Sequence, residues 1–259
     1  MNIKKTYNWI SLESENSIIV RNILSKWEKL LDEELLEKEY HQFLKEHTGF
    51  FFSDYNCYLS ISKLKLSSEL ETDFVNIKDQ RSNGLIYEFI EIEKPQSKLF
   101  NKNGLPSKDF NSAIQQIRDW KRFLIDNKSW FKKFLPTYST RILNNSCIKF
   151  LIIIGRRAYN ESEIEKRNQI ADELGIEIRS FDYLTDLLRK RKFYNQANLD
   201  SEKGVLVENQ IENPFHKAIT DSEWKKFCSK KFSYTHFYKN NCEEIIKLRK
   251  YNKLIFDMK

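Results

Sequence analysis

The chain has 259 residues, 40% hydrophobic and 31% charged, with 19 Phe and 12 Tyr, which supplies apolar surface for one main core and a smaller region and excludes wholesale disorder. No run approaches the roughly 18 apolar residues of a membrane span, and the opening MNIKKTYNWI leads into no export signal, so membranes are excluded and a cytoplasmic location is expected. The formal charge of +7 is concentrated, because Arg189 to Lys259 holds 16 Lys/Arg against 9 Asp/Glu; this is the footprint of a phosphate-backbone binder, and equally of a composition biased towards Lys, Asn and Ile.

Residues 17–47 read as helical, with Ile18, Ile19, Ile23, Trp27, Leu30 and Leu31 spaced by three and four and the stripe continued by Leu35, Leu36, Tyr40, Phe43 and Leu44. Gly49 closes that segment. Runs rich in β-formers follow at 57–66, 71–78 and 85–93, the last two separated by Gln80-Arg81-Ser82-Asn83-Gly84 with its Asn-Gly turn signal, and together they predict an antiparallel meander. Pro106 and Ser107 open a helix to about Asn127, with Phe110, Ala113, Ile114, Ile117, Trp120, Phe123 and Leu124 on one face.

Ile148 to Ile154 is an uninterrupted apolar run, as in a strand covered on both faces. A helix over 161–174 stops at Gly175, and 176–181 supplies a further strand, so strand, crossover helix and strand make a parallel pair. The predicted fold is α/β, a mixed sheet flanked by helices on both faces. The expected organisation is an N-terminal helical segment (1–30), a main domain (31–189) and a basic, aromatic-rich C-terminal accessory region (190–259). Four cysteines without CxxC spacing provide neither a zinc knuckle nor a disulfide framework.

Side chains alternate across a strand, so Glu91 and Glu93 share one face of the 85–93 run while Ile90 and Ile92 point to the other. The Asn-Gly hairpin would set Lys78 or Asp79 opposite Leu85; with Asp79 there, Asp73 stands opposite Glu91, where Cβ atoms are about 4.5–5.5 Å apart, and a one-residue slip would put Asp73 on the wrong face. Converging carboxylates repel unless a cation neutralises them, and hard oxygen ligands suit Mg2+ or Mn2+, which act in phosphodiester cleavage. By spacing alone, a charged and solvated strand face is the commoner explanation.

Three stretches shift that balance: Thr72-Asp73-Phe74-Val75, Phe89-Ile90-Glu91-Ile92-Glu93-Lys94-Pro95, and Ala113-Ile114-Gln115-Gln116-Ile117-Arg118-Asp119-Trp120. In order and character they resemble the PD-(D/E)xK nuclease superfamily, with its restriction-endonuclease-like fold, and more narrowly the Shedu (DUF4263) family of anti-phage nucleases. The segment Leu36 to His47 is similar to that family's leading helix, Phe150 to Arg156 to its strand ending in Gly-Arg, and Arg179 to Leu184 to its closing strand-to-helix segment.

The resemblance implies a metal-dependent DNA endonuclease using Mg2+ or Mn2+, with RNA and a second copy of the chain left open as partners. It makes Asp73 and Glu91 metal ligands, has Gln116 position water or a phosphate, and completes the acidic cluster with Glu37 or Glu39, of which Glu37 is preferred. The chain departs from the pattern at Glu93, where the superfamily has lysine; Lys94 comes one residue later and faces away in a regular strand. Glu93 as third ligand or general base is the preferred resolution, a distortion before Pro95 that brings Lys94 round is the second, and an impaired enzyme the third.

Other signals are weaker. Gly155-Arg156-Arg157 reads as a phosphate-binding turn or as a strand end with solvated arginines, and no glycine-rich nucleotide loop is present. The aromatic and basic residues from Trp224 to Lys239 suit a small core with lysines outside, or base stacking. Two competing functions follow: a noncatalytic nuclease-fold protein, and a basic RNA-binding or architectural protein whose affinity resides in 190–259.

Overall fold

The computed structural model describes residues 8–10, 18–52, 57–80, 85–135, 147–190, 193–195, 216–230, 241, 244–245 and 247–250. Strand β1 (Asn8–Ile10) is followed by helices α1 (Ile18–Asp32), α2 (Glu37–Glu46) and α3 (Thr48–Phe51). The single helical stretch expected over 17–47 is therefore broken at 33–36, although no Gly or Pro lies there. The break is made by tertiary groups: the Tyr40 hydroxyl donates to the Glu33 carbonyl and accepts from the Leu35 N–H, and the Gln96 amide also donates to the Glu33 carbonyl. Helix α1 runs across the expected boundary at residue 30 and enters the core with Val20, Ile23, Trp27 and Leu31.

The antiparallel meander is present as β2 (Cys57–Ser62), β3 (Phe74–Asp79) and β4 (Leu85–Ile92). Asp79 pairs with Leu85 and Phe74 with Ile90, one of the two registers anticipated from the Asn-Gly signal; residues 81–84 of that signal lie outside the described residues. After β4 come α4 (Lys108–Asp126), capped by the Ser107 side chain accepting from the Phe110 N–H, and the short α5 (Lys128–Phe134). Strand β5 (Ile148–Ile153) lies parallel to β4. Helix α6 (Glu161–Leu174) ends at Gly175 in the left-handed conformation and leads to β6 (Glu177–Arg179), parallel to β5, and then α7 (Phe181–Lys190).

Strand β7 (Phe193–Asn195) pairs with β1, and β8 (Ile219–Thr220) precedes α8 (Asp221–Cys228). The main sheet has the order β6-β5-β4-β3-β2-β8 and mixes parallel and antiparallel pairs. Within the C-terminal region, β8 adds to the edge of this sheet beside β2, and Trp224, Phe227 and Cys228 of α8 are buried against its core. For Trp224 and Phe227 the core reading therefore holds; residues 231–240 lie outside the described residues.

Alternation along the strands builds two apolar layers. Val75, Ile77, Tyr87, Phe89 and Ile152 face α4, whose Phe110, Ala113, Ile117 and Trp120 fill the layer between them. Phe74, Ile90, Ile92, Leu151 and Ile153 face α1–α3 and α7, where Trp27, Tyr40 and Phe181 are fully buried and the Trp27 indole donates to the Thr185 hydroxyl at 2.9 Å. No helix among the described residues is long and apolar enough to cross a membrane. Cys57, Cys147 and Cys228 form no disulfide among the described residues.

Gly155, after β5, fixes the turn that follows β4. Its φ is +69°, its N–H donates to the Lys94 carbonyl at 3.1 Å, and a Cβ there would stand 2.5 Å from the Ser97 carbonyl oxygen. Backbone cannot yield as a side chain does. Gly155→Ala should therefore destabilise the protein by about 2 kcal/mol or more through combined strain and overlap, read as a lowered midpoint in thermal or urea unfolding; an unchanged midpoint would show that the 94–97 turn tolerates displacement.

Candidate metal centre

The strand register carries Asp73 and Glu91 onto one face. Both lie on the side of the sheet covered by α4, continuing the alternation of Val75 and Ile77 on one strand and Tyr87 and Phe89 on the other. They sit where that layer runs out, at the end of the sheet from which β4 passes into the Lys94–Ser97 turn. Asp73 is 4% exposed and Glu91 5%. Glu93, still held in the ladder by its N–H to the Ile153 carbonyl, is buried on the same side.

Asp73 is tied on every side. Its Oδ2 accepts the Ile92 N–H at 2.7 Å, and its Oδ1 accepts from the Lys63 ammonium at 2.5 Å. Its backbone carbonyl accepts the Lys63 N–H at 2.9 Å and lies 3.3 Å from His41 Nε2, whose ring stacks on Phe74. Glu91 and Glu93 differ: among the described residues, no hydrogen bond or ion pair reaches either carboxylate. A buried carboxylate without a partner resists ionisation. Burial, then the charges of Asp73, Glu93 and Glu37, pushes Glu91 well above the usual carboxylate range. Burial, then Glu37, Asp109 and Asp73, raises Glu93 to about 7, against which the Lys94 charge works.

Glu37 is the first residue of α2, and burial followed by the charge of Asp73 raises its pKa. Glu37 thus feels the charge of the cluster, while Glu39, two positions on, pairs through Oε1 with Lys38 at 3.7 Å and keeps its Oε2 buried with no hydrogen-bond partner among the described residues. Lys94 does not simply face away: β4 ends at Ile92, the Ser97 N–H donates to the Lys94 carbonyl, and the Lys94 charge lowers the pKa of both Glu37 and Glu93 without forming an ion pair with either. Gln116 is half-buried on α4, two turns from Asp109, and among the described residues no hydrogen bond joins it to the carboxylates.

Two participants are not among the candidates named from sequence. Asp109, in the first turn of α4, accepts from the Ser97 hydroxyl at 2.6 Å and acts on both Glu37 and Glu93. Lys63 follows β2 and continues the β2–β3 register that pairs Ser62 with Phe74, so it lies directly across from Asp73. The signal for Lys63 was present: a hairpin tip at Ser67-Ser68-Glu69 gives this pairing. Without Gly or Asn at that tip, it did not stand out.

The donor set is all oxygen, the kind that suits a hard divalent ion, and a cation beside Asp73 and Glu91 would offset the repulsion between the two carboxylates. No group of three or more His, Cys, Asp or Glu among the described residues is close enough to hold a metal ion. If a divalent ion binds here, Asp73 and Glu91 would hold it as a pair of carboxylates, with most of its coordination shell left to water and substrate.

The match to known families covers this centre. Residues 34–185, more than half of the chain, match the family model described as Shedu protein SduA, C-terminal. No curated protein matches the chain.

Raised carboxyl pKa values set the pH response of the metal-free protein. A carboxyl whose pKa is higher folded than unfolded binds more protons in the folded state between the two values, so stability falls as pH rises through that window. For Glu93 the window runs from its ordinary 4.5 to about 7. In EDTA, Glu93→Gln should gain on the order of 1–3 kcal/mol relative to the parent at pH 7.5 and little at pH 5. Urea titrations at the two pH values measure it, and an equal effect at both would contradict the burial argument.

Proposed function

The chain belongs to the Shedu protein SduA C-terminal family, and from that premise we propose that it is a metal-dependent endonuclease that hydrolyses DNA phosphodiester bonds in defence against phage. The observation that carries this reading is Glu91, a 5% exposed acid set across from Asp73 whose carboxylate meets no hydrogen bond or ion pair among the described residues. A fold does not keep such a group for stability, since a hydrophobic or amide side chain in its place would cost less.

Asp73 and Glu91 would hold Mg2+ or Mn2+, with Glu37 at the rim, and the bound ion would polarise a phosphoryl oxygen and acidify water for attack. The protein's own residues do the rest. Ile92 N–H and Lys63 fix the Asp73 carboxylate in one orientation, so it is preorganised before any ligand arrives. Glu93, which burial and the neighbouring acids raise to about 7 in the metal-free protein, would serve as the acceptor of a proton from water. Lys94, at the mouth of the cluster, offers its charge to a phosphate, and Gln116 would orient substrate from α4 as DNA enters.

Glu91→Gln keeps the shape of the side chain and removes its charge. It should lower Mg2+- or Mn2+-dependent cleavage of plasmid DNA by roughly 100-fold or more while leaving thermal stability in EDTA unchanged or higher. Undiminished cleavage by a clean preparation would discard the assignment.

A second reading rests on Glu93, which stands where a lysine is the superfamily's pattern: a nuclease fold that binds nucleic acid or partners without cutting. Equal DNA binding in EDTA and in Mg2+, with no products from single- or double-stranded DNA or RNA, would support it. A metal-dependent nick would eliminate it.

A further inference from the structure

Lys63 is the one cation in contact with the carboxylate cluster among the described residues. Its ammonium lies 2.5 Å from Asp73 Oδ1 and 3.9 Å from Glu71, and its charge reaches Glu37 and Glu91. The backbone at Lys63 is left-handed, with φ +55°, a conformation that disfavours a long side chain. The residue is held there by its N–H on the Asp73 carbonyl and by the ion pair itself.

The two partners are unlike in mobility. The Asp73 side chain is 5% exposed and has its second oxygen fixed by Ile92 N–H, whereas the Lys63 side chain is 44% exposed on a flexible four-carbon stem. Asp73 stays in place, and Lys63 can leave without unpacking any core residue. The ammonium stands on the oxygen that a divalent ion would use, and two cations at that separation repel strongly in a partly buried site.

We propose that Lys63 is the resident counter-ion of the metal-free cluster and that a divalent cation replaces it on Asp73 Oδ1, turning the ammonium outward to meet a phosphate of the substrate. This rests on the metal-dependent reading above. Lys63 then has two positions, and the affinity for metal is set by competition with the protein's own ammonium. A polyanionic substrate favours the outward position and so favours metal binding at the same time.

Isothermal titration of the full chain with Mn2+ at pH 7.5, alongside cleavage of plasmid DNA at saturating Mn2+, tests this. Lys63→Gln should bind Mn2+ about two- to fivefold more tightly than the parent, the range for loss of a partly exposed competing ion pair, while cleaving more slowly. Lys63→Gly is the second variant, since glycine suits a φ of +55° and guards against a folding defect. Unchanged or weaker Mn2+ affinity in both variants, with the parent showing saturable binding, overturns the counter-ion role and leaves the metal reading standing. Absence of saturable Mn2+ binding in the parent overturns the metal reading, and the counter-ion role with it.

Discussion

The carboxylate of Asp73 fastens three strands at one point. It lies just before β3, accepts the Ile92 N–H at the end of β4, and pairs with Lys63 just after β2. A buried charge is tolerated only when its hydrogen-bonding capacity is met, and here both oxygens are engaged by groups whose positions follow from strand register. Once Asp73 is set, Glu91 must face it and Glu93 must follow on the same side. The apolar layer beneath holds the register: a slip of one residue would send Val75, Ile77, Tyr87 and Phe89 to the opposite face.

The surroundings temper the repulsion among these acids without abolishing it. Glu37 and Asp109 each lie in the first turn of a helix, α2 and α4 respectively, so two helix N-termini with their partial positive charge converge on the cluster. Two lysines counter it, Lys63 acting on Glu37 and Glu91 and Lys94 on Glu37 and Glu93. Glu91 and Glu93 nevertheless remain above the usual carboxylate range, first through burial and then through the neighbouring acids. A divalent ion would lower both again.

The parts of this arrangement legible in the sequence are those set by local pattern. Apolar alternation and the Asn83-Gly84 signal together narrowed the β3–β4 register to Lys78 or Asp79 opposite Leu85, of which Asp79 is the partner found; Gly175 marked the end of α6. What escaped depends on distant groups. The stop between α1 and α2 is written in Tyr40 and Gln96, the latter more than sixty positions away, which no window of helical periodicity contains. Strand β8 is two residues long and joins the sheet only because β2 leaves an edge free for it. Lys63 was hidden because its hairpin closes through Leu66 and Leu70 backbone bonds, with serine where a turn glycine would have announced it.

The Glu93 position shows how a departure from a familiar pattern is absorbed by geometry. A lysine there would add a positive charge beside Glu91; glutamate instead deepens the negative field, and positive charge enters from other elements, Lys63 from the end of β2 and Lys94 through the turn that Gly155 permits. Neither is part of the regular β4 ladder, so each can move while the carboxylates stay fixed. Under the proposed function such a centre would separate its duties: rigid acids on strands would define where an ion can sit, and lysines outside the ladder would answer to an approaching phosphate. The charge that would draw a nucleic acid in from a distance is a separate matter, because the sequence places its basic excess beyond residue 188, outside the segment that carries these acids.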